Sequence, residues 1–140
     1  MASKHSIACI ALDGTKVLIA HRLPVGQMGD RWEFPGGKVE GDESCELAII
    51  REMQEEFGIT VTVGPHIANA QFMHNGETVA LDCYRITVPH DGIAVPYTLT
   101  EHSEYRWADI SEIENLSFVD SDLLLYPQVA SYVKTQAGNA

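Results

Sequence analysis

Gly37-Lys-Val-Glu-Gly-Asp-Glu43-Ser-Cys-Glu-Leu-Ala-Ile-Ile-Arg51-Glu52-Met53-Gln-Glu55-Glu56-Phe57-Gly58-Ile59 is the stretch on which the reading of this chain turns. From about Glu43 to Phe57 it holds neither Gly nor Pro, and Gly58 follows as a stop signal, so the spacing predicts a helix. At about 100° per residue, Leu47, Ile50, Met53 and Phe57 share one face and are expected to pack on a sheet. Glu52, Glu55 and Glu56 stand at i, i+3 and i+4 on the other side, where Ala48 leaves room one turn earlier. Three ionised carboxylates so close repel one another, and Arg51 alone cannot neutralise them. One reading is a solvated acidic face. The other is a metal-binding helix, because hard divalent cations take clustered oxygen ligands. Two features favour it. Gly36-Gly37 lies just upstream, where a bare backbone can approach a ligand closely, and the acids gather at one end instead of alternating in sign.

Outward from this helix the chain is β-rich. Ile7–Leu12 and Val17–His21 flank Asp13-Gly14, a hairpin signal, and residues 24–38 form a Pro- and Gly-rich loop around Trp32-Glu33-Phe34. Beyond Gly58, strands are expected at Ile59–Val63, Ala68–Met73, Thr78–Val88 and Leu99–Trp107. Ser111 can cap a short helix, and Asp122–Thr135 reads as a closing helix despite Pro127. This order predicts an α/β fold, a mixed sheet sandwiched between helices, in a single domain covering residues 1–140. A length of 140 residues suits one domain with a full core.

The 20 acids and 9 bases give a net charge of −11, which disfavours a nucleic-acid polymer or an anionic membrane as partner. The excess is local. Residues 38–56 carry seven acids and two bases, residues 101–122 seven acids and one base, and the remainder balances. No apolar run approaches the roughly 20 residues of a membrane helix, and Ile7–Leu12 is too short for a signal-peptide core. Cys9, Cys45 and Cys83 are odd in number and widely spaced, which excludes a disulfide scaffold and a Cys-x-x-Cys zinc motif. A cytoplasmic location is expected.

The opening stretch resembles the Nudix box, G-x5-E-x7-R-E-U-x-E-E-x-G-U with U apolar, at all nine specified positions of residues 37–59. The preceding Trp32-Glu33-Phe34-Pro35-Gly36-Gly37-Lys38 is similar to the MutT branch of that family. The resemblance implies a Nudix fold and a metal-dependent pyrophosphohydrolase. Such an enzyme converts a (deoxy)nucleoside triphosphate to the monophosphate and pyrophosphate. Carried over by position, Glu52, Glu55 and Glu56 would bind Mg²⁺ or Mn²⁺, with the Gly36 carbonyl as a further ligand. Arg51 would orient the carboxylates, Glu43 would support the box, and Arg22 and Lys38 would hold phosphate oxygens.

A metal-bound water needs a proton acceptor, and Glu101 is the expected general base, with Glu104, a box glutamate such as Glu55, and an assisting His102 as rivals. Phe34 would flank the base or join the core. Where the best-known MutT pattern has an asparagine reading oxidised guanine, Asp120 stands here, with Asp122 as a rival alignment. An ionised Asp only accepts hydrogen bonds, so a cytosine amino group and an oxidised guanine both fit, and the substrate stays open between them. Other Nudix substrates, ADP-ribose or a nucleotide sugar, remain alternatives, though His74-Asn75-Gly76 stands where those and dinucleoside-polyphosphate branches carry other marks. So does a nucleotide-sensing domain without catalysis, which would be free to lose Glu52 or Glu56. Small members of the family are often homodimers, and no interface is marked in this sequence.

Overall fold

The computed structural model describes residues 4–24, 29–88 and 102–138. Strands β1 (Lys4–Asp13) and β2 (Lys16–Arg22) form the expected hairpin, with Gly14 at φ 64° in the turn. Two short strands follow, β3 (Trp32–Glu33) and β4 (Gly36–Lys38), and then helix α1 (Cys45–Phe57). Strands β5 (Thr62–His74), β6 (Glu77–Thr87) and β7 (His102–Asp109) lead through a 3-10 helix (Ile110–Asn115) to helix α2 (Asp120–Gly138).

The sheet is mixed. Strand β6 runs parallel to β1 from Lys4↔Val79 to Ala11↔Ile86, and β5 pairs antiparallel on its far side. Strand β2 pairs antiparallel with both β3 and β7. Strands β1 and β2 touch only at Leu12↔Val17 and Asp13↔Lys16, so they part below the turn. Strand β4 takes over the vacated edge of β1, from Ser6↔Lys38 to Ala8↔Gly36. That parting opens a cleft between them.

Side chains alternate across the strands, so each sheet face has its own core. Ala8, Ile10, Val17 and Ile19 pack with Leu125, Val129 and Val133 of α2. Ile7, Cys9, Ala11, Leu18 and Ala20 pack with Ala48, Ile49, Met53 and Phe57 of α1. The expected sandwich of a mixed sheet between helices is the fold observed. Among the described residues, no helix is long and apolar enough to cross a membrane.

Local details differ from the reading of the sequence. Ser44 caps α1 by accepting from the Leu47 N–H at 3.1 Å, so the helix begins at Cys45. Its buried ridge is Ile49–Met53–Phe57, whereas Leu47 is 58% exposed. The i, i+4, i+8 row meets the sheet, and it carries Glu56 partly inward with it. Ile59–Val61 is not a strand, and Thr62–His74 is one strand with register shifts on both sides of His66. Gly64-Pro65 lies in the first of these shifts and is absorbed as a bulge, because Pro65 has no N–H to lend to a ladder. The 3-10 helix is capped by Asp109, not Ser111: the Asp109 carboxylate accepts from the Ser111 N–H at 3.0 Å. The Asp109 N–H in turn donates to Glu112 at 2.8 Å, closing a capping box.

Candidate active site

The cleft, of about 660 Å³, lies where β1 and β2 part, with Ser6–Ala8 on one wall and Arg22 and Glu33 on the other. Gly36, Gly37, Lys38 and Glu52 form the floor at the box, and Phe34 and Asp122 lie on the α2 side. The box, the loop before it and the start of the last helix are thus brought to one place.

Arg51 organises the box. Its Nε and one Nη donate to the two oxygens of Glu43 at 2.8 and 2.9 Å, a bidentate pair. The other Nη donates to Glu52 at 2.9 Å and to Glu55 at 3.3 Å, and the Lys38 carbonyl accepts a further bond at 2.9 Å. Glu43 also accepts from the Glu40 N–H at 3.0 Å. The Arg51 hydrogen bonds, followed by that backbone bond, lower the Glu43 carboxyl to a pKa of about 2. Loop, helix and carboxylates are therefore one hydrogen-bonded unit around a single guanidinium.

The three remaining glutamates are graded in burial. Glu56 is 7% exposed, the Glu52 side chain 17% and the Glu55 side chain 60%. Gly37 lies against Glu52, and Gly36 lies against the β1 backbone. A Cβ on Gly37 would sit 2.5 Å from the Glu52 carboxyl carbon, and one on Gly36 would sit 2.1 Å from the Ile7 carbonyl oxygen. Of the three, Glu52 lines the cleft beside this bare backbone, and a carboxylate next to a backbone carbonyl suits a divalent cation such as Mg²⁺ or Mn²⁺. Two substitutions separate the glycines. Gly37→Ala displaces a flexible carboxylate end, so turnover should fall about tenfold to a hundredfold while Tm barely moves. Gly36→Ala collides with backbone, so it should lower Tm first. Paired thermal melts and initial rates distinguish the two.

Arg22 donates to Glu33 at 3.2 and 3.4 Å, while its Nε is buried without a hydrogen-bond partner among the described residues. A buried, unused N–H on a cation lining a cleft is a ready anion donor. Lys38 is exposed on the same floor.

Asp120 lies elsewhere. Its side chain is 71% exposed and pairs with Arg31 at 2.9 Å, over a neighbouring hollow. Two residues on, about 200° round the helix, Asp122 turns into the cleft and is buried. The Phe34 N–H donates to Asp122 at 2.9 Å, across 88 residues of chain. That contact is set up by the Trp32 N–H donating to the Ser117 carbonyl at 2.8 Å and the Val119 N–H donating to the Trp32 carbonyl at 2.9 Å. Burial, then the nearby Glu33 charge, raises the Asp122 pKa to about 7, against the pull of the Phe34 N–H and Arg22. Phe34 joins the core, 2% exposed and edge-on to Phe118 at 5.1 Å, and it also lines the cleft. Glu33 was not singled out in the sequence, because a two-residue strand has no periodicity to mark which way it faces.

Glu101, the expected general base, lies outside the described residues. Glu104 is exposed on β7 opposite His21, and the neighbouring pair in that ladder is Arg22↔His102, so β7 starts beside the cleft wall. Cys9 and Cys83 are buried, and burial raises both thiols, which leaves them inert.

Comparison with known proteins agrees with this geometry. The NUDIX domain family model matches residues 3–129. The CTP pyrophosphohydrolase of Escherichia coli is 34% identical over 118 residues, 84% of each chain. The 8-oxo-dGTP diphosphatase of Proteus vulgaris is 56% identical over 46 residues, 33% of this chain and 41% of that one. The solution structure of the Escherichia coli ORF135 protein superposes with a TM-score of 0.74 at 30% identity, covering 91% of this chain and 89% of that one. With the box held as one unit beside Arg22 and Lys38, and the family model covering nearly the whole chain, the protein belongs to the Nudix family and is a Nudix pyrophosphohydrolase.

Proposed function

We propose that the cleft hydrolyses a cytidine (deoxy)nucleoside triphosphate to the monophosphate and pyrophosphate. The observation that carries the base preference is Asp122, buried beside Glu33 with its pKa raised to about 7. A protonated Asp offers one donor and one acceptor side by side, which matches the cytosine N3 acceptor and N4 amino donor. The ionised form offers two acceptors and matches the N1–H and N2–H of an oxidised guanine, which is the second reading. Relatives named for CTP and for 8-oxo-dGTP fit the two forms in turn.

Nudix hydrolases generally use divalent metal ions, and here Glu52, Glu55, Glu56 and the Gly36 carbonyl would hold Mg²⁺ or Mn²⁺. Such an ion offsets phosphate charge and lowers the pKa of a bound water. The chain's own residues do the rest. Arg51 fixes the carboxylates and the Lys38 backbone in one register, so no reorganisation is needed on binding. Arg22, through its unused Nε–H, and Lys38 take phosphate oxygens, and Arg22 keeps Glu33 in place. Phe34 gives an apolar floor at the base, and Asp122, held by the Phe34 N–H, reads its edge. A carboxylate from the segment that leads into β7, Glu101, takes the proton from the attacking water.

A triphosphate panel run across pH tests the substrate. The ratio of kcat/KM for CTP to that for 8-oxo-dGTP cancels the pH dependence of shared catalytic groups. Asp122 is protonated below about pH 7 and ionised above it, so the ratio should fall as pH rises through that value. In Asp122→Asn, which cannot titrate, the ratio should be flat. A ratio that rises with pH in the wild type would refute this reading of the Asp122 edge, and a ratio below one at every pH would make 8-oxo-dGTP the preferred substrate. Turnover of neither nucleotide would sink both.

A further inference from the structure

We propose that His5, Cys45 and Asp82 form a second metal site, suited to a borderline transition ion such as Zn²⁺, that staples the start of α1 to the sheet. None of the three lines the cleft. They come from three separate elements, β1, α1 and β6, and their ligand atoms lie within 4.8 Å of one another.

The donor set differs in kind from the box. Thiolate and imidazole select Zn²⁺-like ions, whereas carboxylates and a carbonyl select Mg²⁺. A tetrahedral ion with Zn–S near 2.3 Å and Zn–N near 2.0–2.1 Å holds its sulfur and nitrogen about 3.6 Å apart. Cys45 Sγ stands 3.5 Å from His5 Nε2. His5 Nε2 is hydrogen-bonded to Asp82 Oδ2 at 2.5 Å, so these two must open by just under about 1 Å for an ion to enter. Their partial exposure, 38% for His5 and 26% for Asp82, leaves room to do so and a path for entry.

The surroundings are also those of a metal site. The other oxygen of Asp82 is held by His66 Nε2 at 2.7 Å, so once the His5 bond opens Oδ2 faces the ion with the carboxylate still anchored. His66 is set there by the β5 bulge, and its ring meets Tyr84 edge-on at 5.1 Å. Ligands bind metals deprotonated, so entry of the ion releases the Cys45 thiol proton, while a neutral His5 presents Nε2 to the ion by carrying its one proton on Nδ1. The fourth position is left to water.

The site is testable without any nucleotide. Co²⁺ titrated into the wild-type protein, with Mg²⁺ in excess to occupy the box, should give a thiolate-to-cobalt charge-transfer band saturating at one equivalent. Cys9 and Cys83 cannot supply that thiolate, being 0% exposed. The band should persist in the box variant Glu56→Gln and vanish in Cys45→Ser. His66→Asn, which loosens only the outer partner, should weaken Co²⁺ binding about tenfold or more. Zn²⁺ should raise Tm in the wild type and not in Cys45→Ser. A wild-type spectrum without a charge-transfer band, or a band that survives in Cys45→Ser, overturns the proposal. Neither result bears on the nucleotide reading.

Discussion

Glu56→Gln should abolish nearly all turnover while leaving the fold untouched. The side chain is 7% exposed on the inward edge of α1, near Met53 and Phe57 in sequence, so an amide of the same shape keeps the volume and exchanges one acceptor oxygen for an N–H₂ group. What it removes is one negative charge from the proposed metal-binding set. Stabilisation of transition-state charge by a bound divalent ion is worth several kcal/mol, and losing it lowers kcat by about a thousandfold or more. Circular dichroism and the metal-free Tm should match the wild type. The rise in Tm produced by Mg²⁺ or Mn²⁺ should shrink, because an ion that binds only the folded state stabilises by mass action. Undiminished turnover in Glu56→Gln would refute its place among the ligands. Glu55→Gln should cost less, since that side chain is 60% exposed.

Arg51→Lys is the second large effect. Four groups of the box converge on the guanidinium: both oxygens of Glu43, the nearer oxygens of Glu52 and Glu55, and the Lys38 carbonyl. A lysine keeps the charge but has one ammonium, so it cannot span them. Turnover should fall roughly tenfold to a hundredfold, as expected for loss of a group that positions metal ligands. KM for the metal should rise in the same variant, which a purely structural role would not produce. Acid stability provides an independent readout. The Glu43 pKa is lowered from 4.5 to about 2 in the folded protein. A carboxylate with a depressed folded pKa contributes stability that is present above the unfolded value and lost as pH falls towards the folded one. The wild type should therefore lose stability between pH 4.5 and about 2, and Arg51→Lys should show a shallower slope there.

The box helix was legible because its determinants are local. Ser44 at the cap, Gly58 at φ 66° and the 3.6-residue spacing all act within one helix, so tertiary context had nothing to override. The hairpin at Asp13-Gly14 was legible for the same reason. Thr62–His74 was not, because whether Gly64-Pro65 ends a strand or bulges it depends on the β6 ladder alongside. Leu47 misled for a related reason: it has the polarity of a core residue, but the ridge that meets the sheet runs through Ile49, Met53 and Phe57.

By itself the sequence determined the chemistry of the box: three carboxylates, a guanidinium and two glycines at spacings that a helix and its preceding loop convert directly into a cluster. It also determined that the excess charge sits in two segments. Only the tertiary structure decided what those segments do to each other. Asp120 and Asp122 are indistinguishable as letters; a helix turns successive residues by about 100°, and the Trp32 ladder to residues 117–119 selects which one is buried. Burial then raises the pKa of that one, because a low-dielectric site penalises the charged form. In the same way His5, Cys45 and Asp82 carry no signal along the chain and become neighbours only when β1, α1 and β6 are packed, since proximity across 77 residues is a property of the fold.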